Sequence, residues 1–285
     1  MSERVAIIGG GKIGEALVAG LLSSGKPARD LVVVEASSER AEEIAQEYKV
    51  LVTDIATAVE NAQIVVIAVK PDAVDGVLAE LGKVDDNNDV ERVTVTLVAG
   101  LPAAKYENAL PAGSPVIRVM SNTPLLVNEA MSAMSAGRYA TEEQVQTVSA
   151  LLGAVGKVMV VPENLMDAVT AISGSGPAYV FLLAESMIDA GVSLGLTRAQ
   201  AAALARQTIR GAGAMLTESG MTSTDLRAAV TSPGGTTAAA IIELERAGIR
   251  PAMYAATAAA AARSSQLSRR SELEGSPGNG GDGRG

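Results

Sequence analysis

Residues Thr231–Thr237 read Thr-Ser-Pro-Gly-Gly-Thr-Thr and lie between two alanine-rich helical stretches. Pro233 cannot extend a helix, and Gly234 and Gly235 lose backbone entropy that only special dihedrals or a close ligand would justify. Thr236 or Thr237 is placed to N-cap the helix that follows. A helix N-terminus with free N–H groups, Ser232 and two threonine hydroxyls suits an anion or a polar ligand; an ordinary interhelical turn fits the segment alone equally well. A second such run, Ser173-Gly174-Ser175-Gly176-Pro177-Ala178-Tyr179, precedes a long helical stretch. Pro177 suits a first helical turn, and the small residues ahead of it leave N–H groups and hydroxyls open to a carboxylate.

A third constellation lies near the N-terminus. Gly9-Gly10-Gly11-Lys12-Ile13-Gly14 satisfies G-x-G-x-x-G directly after a strand-like run and before a helical one. Gly9 permits the tight turn, Gly11 lets backbone approach a pyrophosphate, and Gly14 allows close helix–strand packing, so a dinucleotide site is expected. Glu35 ends the second strand about 20 residues on, where an acid binds the adenosine ribose hydroxyls and repels a 2′-phosphate. Ser37 and Arg40 just beyond offer the opposite chemistry, a hydroxyl and a guanidinium for that phosphate. NADPH and NADH therefore both stay open. Ala68-Val69-Lys70-Pro71, Ala99-Gly100 and Asn122 follow later strands, where open α/β sheets bind ligands. Lys70 is a candidate lining residue, and Asn122 a candidate partner for the nicotinamide carboxamide.

The chain has no His and no Cys among its 285 residues. That removes the Ser-His-Asp triad, His-ligated zinc, thiolate chemistry and any dehydrogenase built on an imidazole acid. No metal site is expected. A formal charge of −9, one Phe and no Trp argue against nucleic-acid binding, which needs a basic surface and stacking platforms. Apolar residues make up 48% of the chain, enough for a sizeable core. The longest uncharged run, Ala168–Ala184, contains Ser-Gly-Ser-Gly-Pro, which would break a spanning helix. No secretory architecture opens the chain, so a soluble cytoplasmic protein is expected.

These residues need positioning elements. Val5–Ile8, Leu31–Val34, Ile64–Ala68, Val93–Val98 and Val116–Val119 read as strands, near-continuously apolar as strands covered on both faces should be. Lys12–Ser24, Ser38–Glu47 and Ala73–Leu81 read as helices between them. The alternation predicts an α/β fold: an N-terminal Rossmann-type, doubly wound, mostly parallel sheet. A helix near Thr141–Ala154 and an apolar run Lys157–Val161 close it. Beyond Pro162 only helices are expected, at Pro177–Leu194, Arg198–Ser219, Thr224–Val230, Thr237–Ala247 and Pro251–Leu267. The expected domains are 1–161 (dinucleotide-binding), 162–270 (all-helical, for dimerisation and substrate) and a disordered tail, 271–285. Broad apolar coverage of the helices suggests faces buried against a partner subunit, although a compact monomeric bundle would bury the same residues.

SGSGPAY at Ser173–Tyr179 and LRAAVTSPGGTTAAAIIELE at Leu226–Glu245 resemble the pyrroline-5-carboxylate reductase family. GGGKIGEAL at Gly9–Leu17, AVKP at Ala68–Pro71, AG at Ala99–Gly100 and NTP at Asn122–Pro124 extend the resemblance over roughly Arg4 to Leu267. It implies NADPH- or NADH-dependent reduction of L-1-pyrroline-5-carboxylate to L-proline, the last step of proline biosynthesis. It also implies a helical domain interleaved with a second subunit, such homodimers commonly assembling into pentamers of dimers. Substrate contacts would come from Glu163, from Ser173, Gly174 and Gly176 and from Ser232, Gly234, Gly235, Thr236 and Thr237. Thr237 and Ser175 are the candidate catalytic hydroxyls, Thr237 near the ring nitrogen; Glu163 falls at a position where family members carry an acid. Three residues depart from the family pattern: Ser121 for Pro, Ile55 for Asn in the loop after the third strand, and Ala229 for Asn.

The chemistry suits a chain without histidine. A carbonyl acceptor develops an alkoxide and benefits from a strong acid, whereas an iminium arrives protonated and becomes a neutral amine. A β-hydroxyacid-type dehydrogenase, the alternative enzyme, would use a Lys early in the helical half, and no Lys follows Lys157. A non-catalytic nicotinamide sensor would not need two anion-type loops.

Overall fold

The computed structural model describes residues 3–84 and 91–274. The chain opens with β1 (Val5–Ile8), α1 (Lys12–Ser23), β2 (Leu31–Val34), α2 (Ser38–Tyr48), β3 (Leu51–Val52) and α3 (Ile55–Val59). It continues through β4 (Ile64–Ile67), α4 (Val74–Leu81), β5 (Val93–Thr96), α5 (Ala103–Ala109), β6 (Val116–Met120), β7 (Ala130–Ala136), α6 (Glu142–Gly153) and β8 (Gly156–Val160). Together these strands form one sheet of order β3-β2-β1-β4-β5-β6-β7-β8. Pairing is parallel throughout except between β6 and β7.

The continuous apolar runs have a direct cause. Alternate residues feed two separate cores, as the two-residue period of a strand requires. Val5, Ile7, Val33 and Val66 pack with Leu17 and Leu21 of α1, Ile44 of α2 and Leu152 of α6. Ala6, Ile8, Val32, Val65 and Ile67 pack on the other face with Val59 of α3, Leu78 of α4 and Tyr106 of α5. Burying each large aliphatic side chain stabilises the fold by about 1.5–3 kcal/mol.

Two strands have no counterpart in the sequence reading. β3 is only two residues long, and β7 is written Ala-Met-Ser-Ala-Met-Ser-Ala, with no β-branched or aromatic residue to signal it. Its serines are nevertheless buried, the Ser132 hydroxyl donating a 2.9 Å hydrogen bond to that of Ser121.

After β8 the chain is helical: a 3₁₀ turn at Glu163–Leu165, α7 (Met166–Val169), a π-helical turn at Thr170–Gly174, then α8 (Gly176–Ser193), α9 (Arg198–Glu218), α10 (Ser223–Ala229), α11 (Thr236–Arg246) and α12 (Ile249–Glu274). Contacts divide the chain into two compact units, one running to Gly174 and resuming at Ala260, the other Ser175–Ala259. This packing boundary lies beyond Pro162, where the strand signal stops; packing and strand content change at different places. The tail expected to begin at Ser271 is helical as far as Glu274; residues 275–285 lie outside the described ones. Among the described residues, no helix is long and apolar enough to cross a membrane.

The second unit has little interior of its own. α8 and α11 contain no buried residue, and α9 buries only Ala201 and Ala205. Phe181 and Leu182 on α8 are each 64% exposed. Contiguous apolar surface of this kind marks an association face.

Candidate active site

A cleft of 890 Å³ opens at the carboxyl ends of β1, β2 and β4, where the strand order reverses about β1. Gly9, Gly10, Gly11, Glu35, Arg40, Ala68, Val69 and Lys70 line it, as expected of a ligand crevice at a topological switch point. Gly9 adopts φ +109°, and a Cβ there would lie 2.6 Å from the Ala68 carbonyl oxygen. A Cβ on Gly14 would run into the Gly9 carbonyl, so α1 sits directly on the turn. Gly11 differs: no atom lies within 4 Å of where its Cβ would be. It is also the N-cap of α1 and provides no side-chain cap. Lys12, Ile13 and Gly14 form the first helical turn, whose N–H groups lack intrahelical partners, and Gly11, the cap that opens it, lines the cleft. The residues present therefore fit a dinucleotide.

The rim carries a defined polar network. Gly10 N–H and Ser37 N–H each donate to the Glu35 carboxylate at 2.9 Å, one to each oxygen. Ser37 N-caps α2. Arg40 donates to Glu15 at 2.7 Å, to Glu43, and more weakly to the Gly10 carbonyl at 3.4 Å. Its side-chain bonds to Glu43 and Glu15 raise the guanidinium pKa above its ordinary value. Tyr48, whose hydroxyl donates to Glu15, is pushed up to about 12, by burial first and the Glu15 charge second. Asp54 also lines the cleft; it N-caps α3, and hydrogen bonds from the Thr57 N–H and hydroxyl lower its pKa. Asp54, Asp72 and Glu80 were not singled out in the sequence, although Asp-Ile-Ala-Thr at 54–57 carries a legible N-cap signal.

Other expected cofactor residues lie outside this lining. Pro71 starts a 3₁₀ turn after Lys70. Ala99 and Gly100 follow β5, where Gly100 adopts φ +77° and its Cβ would lie 3.1 Å from that of Leu267 on α12. Asn122 follows β6 and already ties three segments together: its amide N–H donates to Ser173 O at 3.1 Å, and its oxygen accepts from Met131 N–H at 3.0 Å.

Glu163 lies in the 3₁₀ turn after β8. Its Oε1 accepts from Ala103 N–H at 2.8 Å and from Arg118 at 3.2 Å. Arg118, on β6, is buried, so the pair joins the turn to β6 and to the start of α5.

The Ser173–Tyr179 run departs from expectation. Instead of a free loop before a helix, Ser173 and Gly174 belong to a π-helical turn that runs on from α7. The Ser173 hydroxyl donates back to Val169 O, and Gly174 packs against Met120. A helical path arriving from behind already accounts for those backbone groups. Ser175 and Gly176 then begin α8, with Pro177 in its first turn as expected.

In the second unit, Gly235 N–H donates to Ser232 O at 3.1 Å, closing a turn with Pro233 and Gly234 at its centre. Gly234 at φ +70° takes the left-handed position such a turn requires. Neither threonine is the N-cap of α11. Gly235 is, leaving Thr236 and Thr237 as the first two helical residues. A Cβ on residue 235 would lie 2.5 Å from the Ser232 hydroxyl oxygen, so the tight turn places glycine at the cap. No side chain caps α11. Thr237 is half-buried beside those open N–H groups, and Ser232 and Thr236 are exposed.

Comparison with known proteins matches both regions. Residues 163–267 match a family described as pyrroline-5-carboxylate reductase dimerisation, and residues 4–100 one described as NADP oxidoreductase coenzyme F420-dependent. The pyrroline-5-carboxylate reductase of Mycobacterium tuberculosis strain H37Rv is 52% identical, with 93% of this chain and 96% of that protein covered. The chain belongs to the pyrroline-5-carboxylate reductase family. The Mycobacterium leprae reductase is 48% identical over 94% of this chain and 98% of its own length. A solved pyrroline-5-carboxylate reductase from Coxiella burnetii superposes with a TM-score of 0.88 at 32% identity, covering 94% of this chain and 99% of that one. The Plasmodium falciparum enzyme, solved with NADP bound, gives 0.82 at 28% identity over 93% and 98%.

Against the family pattern, the three departures fall in different places. Ile55 is the first residue of α3 and lines the cleft. Ser121 bonds Ser132 of β7, and Ala229 ends α10. The helical region is the part of the chain that matches the dimerisation description.

Proposed function

We propose that this chain reduces L-1-pyrroline-5-carboxylate to L-proline with NADPH or NADH, as the relatives that match it along nearly their whole length are named for doing. That match carries the reading; the open N-terminus of α1 and the uncapped N-terminus of α11 support its chemistry. The nicotinamide supplies a hydride to the C=N carbon. The π electrons of that bond move to nitrogen, which already bears the iminium proton, and a neutral amine results.

The protein's residues bind and orient. The Gly9–Gly14 backbone takes the pyrophosphate, and Lys70 adds positive charge at the cleft. Asn122 keeps one amide N–H for the carboxamide. Ser232, Gly234, Gly235 and Thr236 receive the substrate carboxylate on the α11 N-terminus, with Ser175 and Gly176 at the start of α8 contributing to the same task. Thr237 positions the ring nitrogen and its proton. Glu163 acts through Arg118, holding β6 and the start of α5.

Assembly into a homodimer is supported by the apolar, exposed face of α8, and assembly of five such dimers into a decamer follows from the family resemblance alone. Residues 1–161 form the dinucleotide domain and 162–270 the dimerisation domain, close to the start of the matched dimerisation region. A cytoplasmic location agrees with this biosynthetic role.

Oxidation of NADPH and of NADH, followed separately with pyrroline-5-carboxylate, tests the reading; turnover with neither rejects it. Thr237→Ala removes one hydrogen bond to a charged group. It should lose about 1–3 kcal/mol of transition-state stabilisation, read from kcat/KM. Wild-type kinetics in that variant would reject the role of Thr237.

A further inference from the structure

We infer that the cleft prefers NADH to NADPH and that Glu35 sets the preference. The inference rests on the dinucleotide reading of the cleft and adds to it the choice between the two cofactors.

Glu35 stands at the carboxyl end of β2, where a Rossmann-type sheet places the adenosine ribose. Its carboxylate is held from two sides, by Gly10 N–H of the glycine turn and Ser37 N–H of the next loop, each at 2.9 Å. An ionised carboxylate has about four lone-pair sites, so two remain for the ribose 2′- and 3′-hydroxyls.

A 2′-phosphate meets the reverse situation. The two backbone N–H groups that would receive it are already satisfied by a carboxylate of the same sign. Arg40, the natural phosphate partner, is committed as well: Glu15 accepts from it at 2.7 Å, and Glu43 and the Gly10 carbonyl accept from its other N–H groups. To reach a phosphate it would have to leave two carboxylates. The lining as a whole is acidic, with Glu35, Asp54, Asp72 and Glu80 against Arg40 and Lys70. Each of these features disfavours a dianion and is indifferent to a ribose hydroxyl.

Titration calorimetry of the intact protein with NADH and with NADPH, without substrate, tests the inference directly. NADH should bind about tenfold or more tightly than NADPH. Glu35→Gln should strengthen NADPH binding and narrow the ratio by about tenfold, because it removes the like charge and keeps an acceptor oxygen. Equal or tighter NADPH binding in the wild type overturns the inference. So does an unchanged ratio in a folded Glu35→Gln. Should Glu35→Gln not fold, the wild-type ratio still decides. Binding of neither cofactor by folded protein rejects the dinucleotide reading itself, a distinct outcome.

Discussion

At the residue scale, the glycines of one motif have different reasons to be glycine. Gly14 has none of the room a side chain needs, since its Cβ would meet the Gly9 backbone oxygen, which cannot yield. Gly14→Ala should therefore destabilise the fold by about 1–3 kcal/mol and abolish dinucleotide binding, read by thermal denaturation and calorimetry. Gly11 faces open space, so Gly11→Ala should melt like the wild type and bind the dinucleotide more weakly. Equal melting temperatures in the two variants would refute this distinction. Tyr106 gives a pH prediction. It is fully buried, accepts a 2.7 Å hydrogen bond from Thr96, and burial pushes its phenol up to about 12 from 10.0. Between those values the unfolded chain has released the proton while the folded chain retains it, so stability falls as pH rises. The contribution of the protonated phenol is intact below the unfolded pKa and is lost through the folded one, a loss of about 3 kcal/mol at most. Tyr106→Phe should lose about 1 kcal/mol at neutral pH and show a smaller alkaline decline. Parallel pH–stability curves for the two proteins would contradict that account.

At the element scale, strands covered on both faces were legible because a continuous apolar run bounded by turn residues has few other meanings. β1, β2, β4, β5 and β6 lie where the runs of Val and Ile place them. β7 was not legible, since Ala, Ser and Met carry little strand preference and its identity comes from pairing with β6 and β8. Helix starts divide in the same way. Thr141 and Thr197 form capping boxes with Gln144 and Gln200, which the residue pattern alone signals. The α11 start is one residue earlier than the threonines suggest, because the Ser232–Gly235 turn decides where helical dihedrals begin. The Ser173–Tyr179 run illustrates a larger gap. Its composition reads as a loop, but a π-helical turn continuous with α7 occupies part of it, and side chains of β6 and the following loop, Met120 and Asn122, hold that turn in place.

At the scale of the whole molecule, the helical unit Ser175–Ala259 buries almost none of its large apolar residues within the chain, and it falls inside the region that matches a dimerisation family. Phe181→Glu should shift sedimentation toward smaller species while leaving dinucleotide affinity near wild type, because the cleft lies wholly in the other unit. An unchanged assembly would remove Phe181 from the interface. The sequence by itself determined the fold class and the glycine cradle and excluded imidazole and thiolate chemistry: strand periodicity, G-x-G-x-x-G after a strand, and the absence of His and Cys are local facts that survive without coordinates. Only the tertiary structure decided how charged and polar groups are spent. Glu35, Arg40, Asn122 and Glu163 are each free side chains on paper, yet each is engaged by partners distant in the chain. A hydrogen bond is a distance between two atoms, and the chain must fold before sequence neighbours cease to be the only neighbours.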